Sequence, residues 1–434
     1  MSNFQTVLIA VFLSFFVFAV LIFSGILPIG NSSSKTTLQG KVLVWGTLPS
    51  SSVSSYIQNM SASNNNLIIK YVQKSQDTYN SDLIESFAAG NNPDLFFITP
   101  DMVLKYKKFI YPIPYASYPE KIYRENFIDG ADVFLNKEGI LGFPIVSDPL
   151  VLYYNKDILS NSGVANPPHY WDELFNLNDL LTKKTNDGVL SQSMIAMGSF
   201  NNVDNAKDIL SLLLLGSGNK IIDFNKESDH PRVVVNEKNA FSNSPLEQSL
   251  TFFNEFSNQK SQAYSWNSSL SNSRDMFTKG KLVLYIGHAS ELFRIREINP
   301  NINFDVTEIL QTRDTDIRRT TGPIYAIAIS NKSKNLPTSI GVASLFADQV
   351  NVKELSTALS IPPAQKSLLN ENPSDPYLFT FYKSSVFLHS WLDPNTKSTD
   401  LIFRELIQNF NSNKLNSADS VAKFENQLNI LINQ

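Results

Sequence analysis

The 434-residue chain has no cysteine. That excludes disulfides, thiolate metal sites, a cysteine nucleophile and a lipidated N-terminal cysteine. Histidine is scarce as well. His169, His230, His288 and His389 are scattered along the chain and suggest no metal cluster. There is no basic stripe, and the formal net charge of −4 argues against nucleic acid as a partner. Neither a glycine-rich phosphate loop nor a serine nucleophile elbow is present, and no internal repeat is visible. No cofactor and no metal is therefore expected.

What is present starts with length. At 434 residues the chain exceeds a single hydrophobic core, so two lobes are expected. Residues 7–27, after a short tip at 1–6, hold no charge and consist largely of Val, Leu, Ile, Phe and Ala. Such a run matches the ~20 residues that cross a bilayer. A cleaved signal peptide would have a basic residue before the run and a small-residue cleavage site after it. Neither is found, so an uncleaved transmembrane anchor is expected, followed by a polar linker at 28–40 that holds the soluble part off the membrane.

From residue 41 the pattern alternates. Residues 41–47 read as a buried strand, 49–60 as a helix, 67–73 as a strand, 77–89 as a helix and 94–98 as a strand. Alternation of this kind implies parallel strands with helices on their faces, and ligands bind beyond the carboxyl ends of such strands. Trp45-Gly46-Thr47 and Thr99-Pro100-Asp101 stand at those ends. Then Gly142-Phe143-Pro144-Ile145-Val146-Ser147-Asp148-Pro149 leads into Leu150 to Tyr154. The two prolines deny ladder donors, so this stretch reads as an extended crossing between two compact units, with Asp148 between the prolines. Gly322-Pro323 precedes another apolar run and reads as the return. Further helices are expected over 170–184, 203–215, 245–258, 288–299, 336–350, 375–392, 399–410 and 417–432, with strands at 192–197 and 280–287 and a hairpin-type excursion over 222–235.

In this order the landmarks resemble the extracellular solute-binding proteins of ABC transporters, the carbohydrate-type group that includes maltose-binding protein. The residues that carry the resemblance are Val44-Trp45-Gly46; Ala89-Gly90-Asn91-Asn92-Pro93-Asp94-Leu95; Tyr154-Asn155-Lys156-Asp157; Pro167-Pro168 with Trp171-Asp172-Glu173-Leu174; and Phe277-Thr278-Lys279-Gly280-Lys281. The resemblance implies a two-lobed α/β fold of the periplasmic-binding-protein kind, type II, closing by a hinge. Lobe 1 would comprise 41–143 and 325–363, lobe 2 149–321 and 370–434, with hinge crossings at 144–148 and 322–324. It also implies a small-molecule ligand, a sugar or oligosaccharide, and an ABC permease as partner, with the soluble domain outside the cytoplasm.

A sugar site needs carboxylates or amides for paired hydroxyls and aromatic faces for the ring. The expected ligand-binding residues are Trp45, Thr47, Asp101, Asp148, Phe200, Trp266, His288 and Tyr325. His288 stands where maltose-type members carry a Trp after the Gly of Leu-Tyr-Ile-Gly. For Asp148 the rival role is an ion pair that holds the hinge. Two other functions fit less well: a glycoside-processing enzyme using Asp101 and Asp148 as a carboxylate pair, and a sensor or scaffold that keeps the fold without transport.

Overall fold

Apolar runs set off by turn residues become strands that collect into two five-stranded sheets. The computed structural model describes residues 38–433, apart from 63, 65, 226–229, 237–243, 314 and 413. Its strands are β1 (Gly40–Gly46), β2 (Leu67–Gln73), β3 (Leu95–Ile98), β4 (Phe143–Ser147), β5 (Leu150–Asn155), β6 (Lys183–Lys184), β7 (Leu190–Ile195), β8 (Ile222–Asn225), β9 (His230–Val233), β10 (Leu282–His288), β11 (Phe304–Glu308) and β12 (Ile324–Ile329).

The first sheet has the order β2-β1-β3-β12-β4. β1 runs parallel to β2 and β3, while β12 is antiparallel to β3 and β4. β3 is buried along its whole length, as an uninterrupted Leu-Phe-Phe-Ile run requires. β4 lies at the sheet's edge, where Pro144 costs no ladder bond. The second sheet has the order β11-β5-β10-β7-β6, with Tyr285 opposite Tyr153 in the antiparallel β10–β5 pair. β8 and β9 form the separate hairpin.

The two crossings are bonded to each other. Asp148 N–H donates to the Pro323 carbonyl and Leu150 N–H to the Thr321 carbonyl, both at 2.9 Å. A third passage joins them where Ser147 N–H donates to the Pro362 carbonyl (2.9 Å). Helices Leu336–Phe346 and Gln349–Leu359 pack on the first sheet. Pro376–Val386 packs on β11 and β5, and Thr396–Asn411 packs with Ser417–Ile432 against helices Ala206–Gly216 and Pro245–Glu255.

Three expectations change. The helix over 336–350 is two helices, because the Asp348 side chain accepts from the Val350 and Asn351 amides and starts a new one. The helix over 170–184 ends at Leu181, and Lys183–Lys184 pairs with β7 instead. The helix over 375–392 ends at Val386. Beyond it the His389 amide bonds the Thr320 carbonyl (2.9 Å), which draws the chain along the crossing. The expected membrane anchor 7–27 lies outside the described residues, as do the tip and most of the linker. Among the described residues no helix is long and apolar enough to cross a membrane.

Candidate functional site

A cavity of about 470 Å³ opens where the two lobes meet. The end of β3 and the start of β12 supply Thr99, Pro100, Asp101 and Tyr325. Phe200, Lys207, Asp208 and His288 come from the side of the second sheet, and Trp391, Asp393 and Thr396 from the C-terminal segment. Asp101 lies in the first turn of helix Pro100–Tyr106 and accepts from the Thr396 hydroxyl at 2.7 Å. Lys397 Nζ reaches the Asp77 carbonyl nearby at 3.2 Å. These two bonds link the lobes at the cleft.

The floor is a charge network built on the first turn of helix Ala206–Gly216. Lys207 Nζ is 3.0 Å from Asp393 Oδ2 and 2.6 Å from Asp400 Oδ1. Burial pulls the Lys207 ammonium down, but Asp393, Asp208 and Asp400 outweigh it and hold its pKa above the ordinary range. Asp208 Oδ2 meets His288 Nε2 at 3.1 Å, and His288 Nδ1 meets the Asp148 carbonyl at 3.0 Å. Burial alone would lower His288. The Asp208 hydrogen bond and the charges of Asp148, Asp208 and Glu291 prevail, and its pKa stands at about 10. Glu291 accepts from the His288 amide (3.0 Å), from Asn205 Nδ2 (2.7 Å) and from Arg274 Nη2 (2.7 Å). Burial would raise Glu291, yet Arg274 and His288 keep it below its usual range.

His288 therefore makes stability depend on alkaline pH. Its folded pKa exceeds the unfolded one, so its contribution is complete below the unfolded value and is lost as pH rises through about 10. The protein is expected to lose about 2 kcal/mol of stability between roughly pH 8 and 10 through this group. A His288→Gln variant should show a flatter profile there in chemical denaturation. An identical slope in both proteins would refute the assignment.

The cavity brings together four of the expected residues: Asp101, Phe200, His288 and Tyr325. The Tyr325 hydroxyl has no hydrogen-bond partner among the described residues, and burial raises its pKa. The other four lie elsewhere. Trp45 is half-buried with Lys74 Nζ 3.9 Å from its ring centre, and Thr47 is half-buried beyond β1. Neither is on the cavity wall. Asp148 is buried in the crossing, where Oδ1 accepts the Ser290 amide at 2.9 Å. Burial raises its pKa, and its bonds lie within the crossing rather than in the cavity. Trp266 is a core residue: it is 0% exposed, and its indole N–H donates to Asn202 Oδ1 (3.1 Å). Its sequence neighbours Ser265 and Asn267 are polar, yet the ring lies inside because Asn202 satisfies its N–H there. Trp266→Phe is expected to cost about 1–2 kcal/mol of stability and to leave ligand affinity unchanged in a titration.

With Asp148 out of the cavity, the pair proposed for glycoside chemistry does not face one bond. Among the described residues no group of three or more His, Asp or Glu could hold a metal ion. Lys207, Asp208, Trp391 and Asp393 were not singled out by sequence. For the last two, the signal was Trp391-Leu392-Asp393-Pro394, a helix-breaking run at the end of the stretch 375–392 expected to be helical.

Comparisons with known proteins agree with this architecture. A stretch of 96 residues is 30% identical to a Brucella abortus protein provisionally assigned as a binding protein. The stretch covers 21% of this chain and 23% of that relative, so the chain spans about a quarter of the relative's length. A cyclo/maltodextrin-binding protein complexed with maltotetraose is similar over 90% of this chain and 97% of its own, at 15% identity and a TM-score of 0.72. A cyclic α-maltosyl-1,6-maltose binding protein from Arthrobacter globiformis is similar over 91% and 99%, at 15% identity and a TM-score of 0.73. At such identities the likeness is one of fold, and the fold is the two-lobed α/β architecture described above. The family model of the bacterial extracellular solute-binding protein matches residues 51–349, more than half of the chain, and the chain belongs to that family of binding proteins.

Proposed function

We propose that the chain captures a carbohydrate-like solute, an oligosaccharide or a sugar, between its lobes and presents it to an ABC permease. In this reading residues 7–27 tether the soluble part to the outer face of the cell membrane. Lobe 1 comprises 41–143 and 325–363, and lobe 2 comprises 149–321 and 370–434. The observation that carries the reading is the lining of the cavity. Asp101, Lys207, Asp208 and Asp393 offer charged hydrogen-bond partners, and Phe200, Tyr325 and Trp391 offer aromatic faces, from both sides of the hinge. Hydroxyl pairs and the C–H faces of a pyranose need that combination. Both structural neighbours named above are sugar binders by name. Closure follows when a ligand contacts both sides at once and so favours the closed state.

The test is a thermal-shift screen of the full-length protein against mono- and oligosaccharides, polyols, amino acids and polyamines, followed by titration calorimetry on any hit. A saccharide should raise the melting temperature in a concentration-dependent way. Asp101→Ala should then weaken binding by about tenfold, roughly 1.4 kcal/mol, through loss of a ligand contact and of the Thr396 link. A hit confined to amino acids or polyamines would overturn the substrate class.

A further inference from the structure

The cleft continues past the cavity described above. A second cavity of about 870 Å³ adjoins it, and Ser390 and Trp391 belong to the walls of both. Its remaining walls come from both lobes and from Arg319, next to the return crossing. Most charges around it are already paired. Arg124 is matched by Glu120 (3.0 Å) and Asp132, Asp129 by Lys366 (2.7 Å), and Lys220 by Asp223 (2.7 Å).

Arg319 differs. Among the described residues its guanidinium makes no ion pair; Nη1 donates to the Arg318 carbonyl at 3.1 Å, and its other N–H groups have no acceptor. Beside it His389 holds Nδ1 3.2 Å from the Phe387 carbonyl and, among the described residues, has no partner at Nε2. Burial, and then the Arg319 charge, keep the His389 imidazole below its ordinary range. Burial likewise lowers Arg319. Asp129 on the same wall, itself paired with Lys366, pulls both the other way without prevailing. The half-exposed Arg319 guanidinium thus keeps donors to spare on the cavity wall, and a carboxylate or phosphate meets such a planar fork in bidentate fashion.

We infer that this second chamber receives an anionic substituent, a carboxylate or a phosphate, of a saccharide that spans both chambers, with Arg319 as its partner. The inference rests on the saccharide reading above and narrows it to acidic saccharides. His389 Nε2 and the Ser390 hydroxyl stand beside the same volume, and Trp391 marks the passage between the chambers.

Isothermal titration of the full-length protein tests it with two matched pairs. One is trigalacturonate and its carboxyl-reduced neutral counterpart; the other is maltotriose 6-phosphate and maltotriose. At least one acid is expected to bind about tenfold or more tighter than its neutral partner, and which one does so tells carboxylate from phosphate. Arg319→Gln should erase that preference and leave neutral-sugar affinity and the melting temperature unchanged, while Arg319→Lys should keep part of it. Equal affinity within both pairs overturns the inference, and so does a preference that survives Arg319→Gln. Binding of neutral sugars alone defeats the inference and leaves the receptor reading standing. If no saccharide binds, both fall together.

Discussion

A Lys207→Met variant is expected to lose about 3 kcal/mol of stability at neutral pH and to fail to bind ligand. The Lys207 side chain is only 11% exposed and holds Asp393, whose side chain is 8% exposed, at 3.0 Å. It also accepts no substitute: Thr399 Oγ1 lies 3.3 Å from the same ammonium, and a methionine thioether cannot donate to it or to the carboxylates. Removing one partner of a buried pair costs roughly 3–5 kcal/mol, because the remaining charge stays buried. Asp400 is 43% exposed, so solvent screens its share and the lower end of that range applies. The sign with pH is definite. Without Lys207 the folded pKa of Asp393 lies above its unfolded value, so the penalty is present at neutral pH and relieved as pH falls toward the carboxylate range. Denaturant titrations at about pH 7 and pH 5 should show the gap from the native protein closing. Asp393→Asn in the same chain should recover much of the loss, since it removes the stranded charge. A gap that is small at pH 7, or that widens toward acid, would show that the pair contributes little.

A Gly322→Ala variant is expected to be destabilised by about 3–5 kcal/mol or to fail to accumulate in soluble form. A Cβ on Gly322 would collide with the Asp148 carbonyl oxygen and come 3.3 Å from His288 Nδ1. That carbonyl cannot turn away. It accepts from His288 Nδ1, and its residue's amide is bonded to Pro323 on the same crossing as Gly322. Opening space would break the Asp148–Pro323 and Leu150–Thr321 bonds, which tie the two crossings together. Overpacking in an ordinary core costs about 1–3 kcal/mol because side chains can rotate; here the obstacle is backbone. Since Gly322 also lies on the cavity wall, the folded remnant should bind ligand weakly. Melting and denaturation measurements check the first part. A variant within about 1 kcal/mol of the native protein would mean that the crossings yield more easily than their bonding indicates.

These two sites show how far the chain could be read unaided. The crossing at Pro144 to Pro149 was legible because proline acts locally: it sets φ and removes a donor wherever it stands. Gly322-Pro323 marked the return crossing for the same reason. β2 falls on the residues expected, and so does helix Ser417–Ile432, because apolar period is a property of a single element. Where expectation and structure part, a side chain had intervened, as when Asp348 caps a helix in the middle of an otherwise helical stretch.

The site was less legible. Asp101 was legible because it follows the carboxyl end of a strand, where such sheets meet a ligand, and Tyr325 because it follows the return crossing; both line the cavity. Asp148 and Trp266 carried the right chemistry at the wrong depth. Nothing in the residues beside Asp148 says that the amide of Ser290 will meet it, or that Asn202 will take the indole of Trp266.

The sequence by itself determined the order of strands and helices, the two proline-marked crossings, the lack of thiolate chemistry and the family resemblance. Each of these depends on residue type, period or punctuation within one short window. The tertiary structure alone decided which charges share a cavity. Lys207 meets Asp393, His288 lies between Asp148 and Asp208, and Arg319 stands beside His389 with no ion pair among the described residues. Those pairs join residues far apart in the chain. Their energies depend on burial and distance, which exist only once both lobes have folded and met.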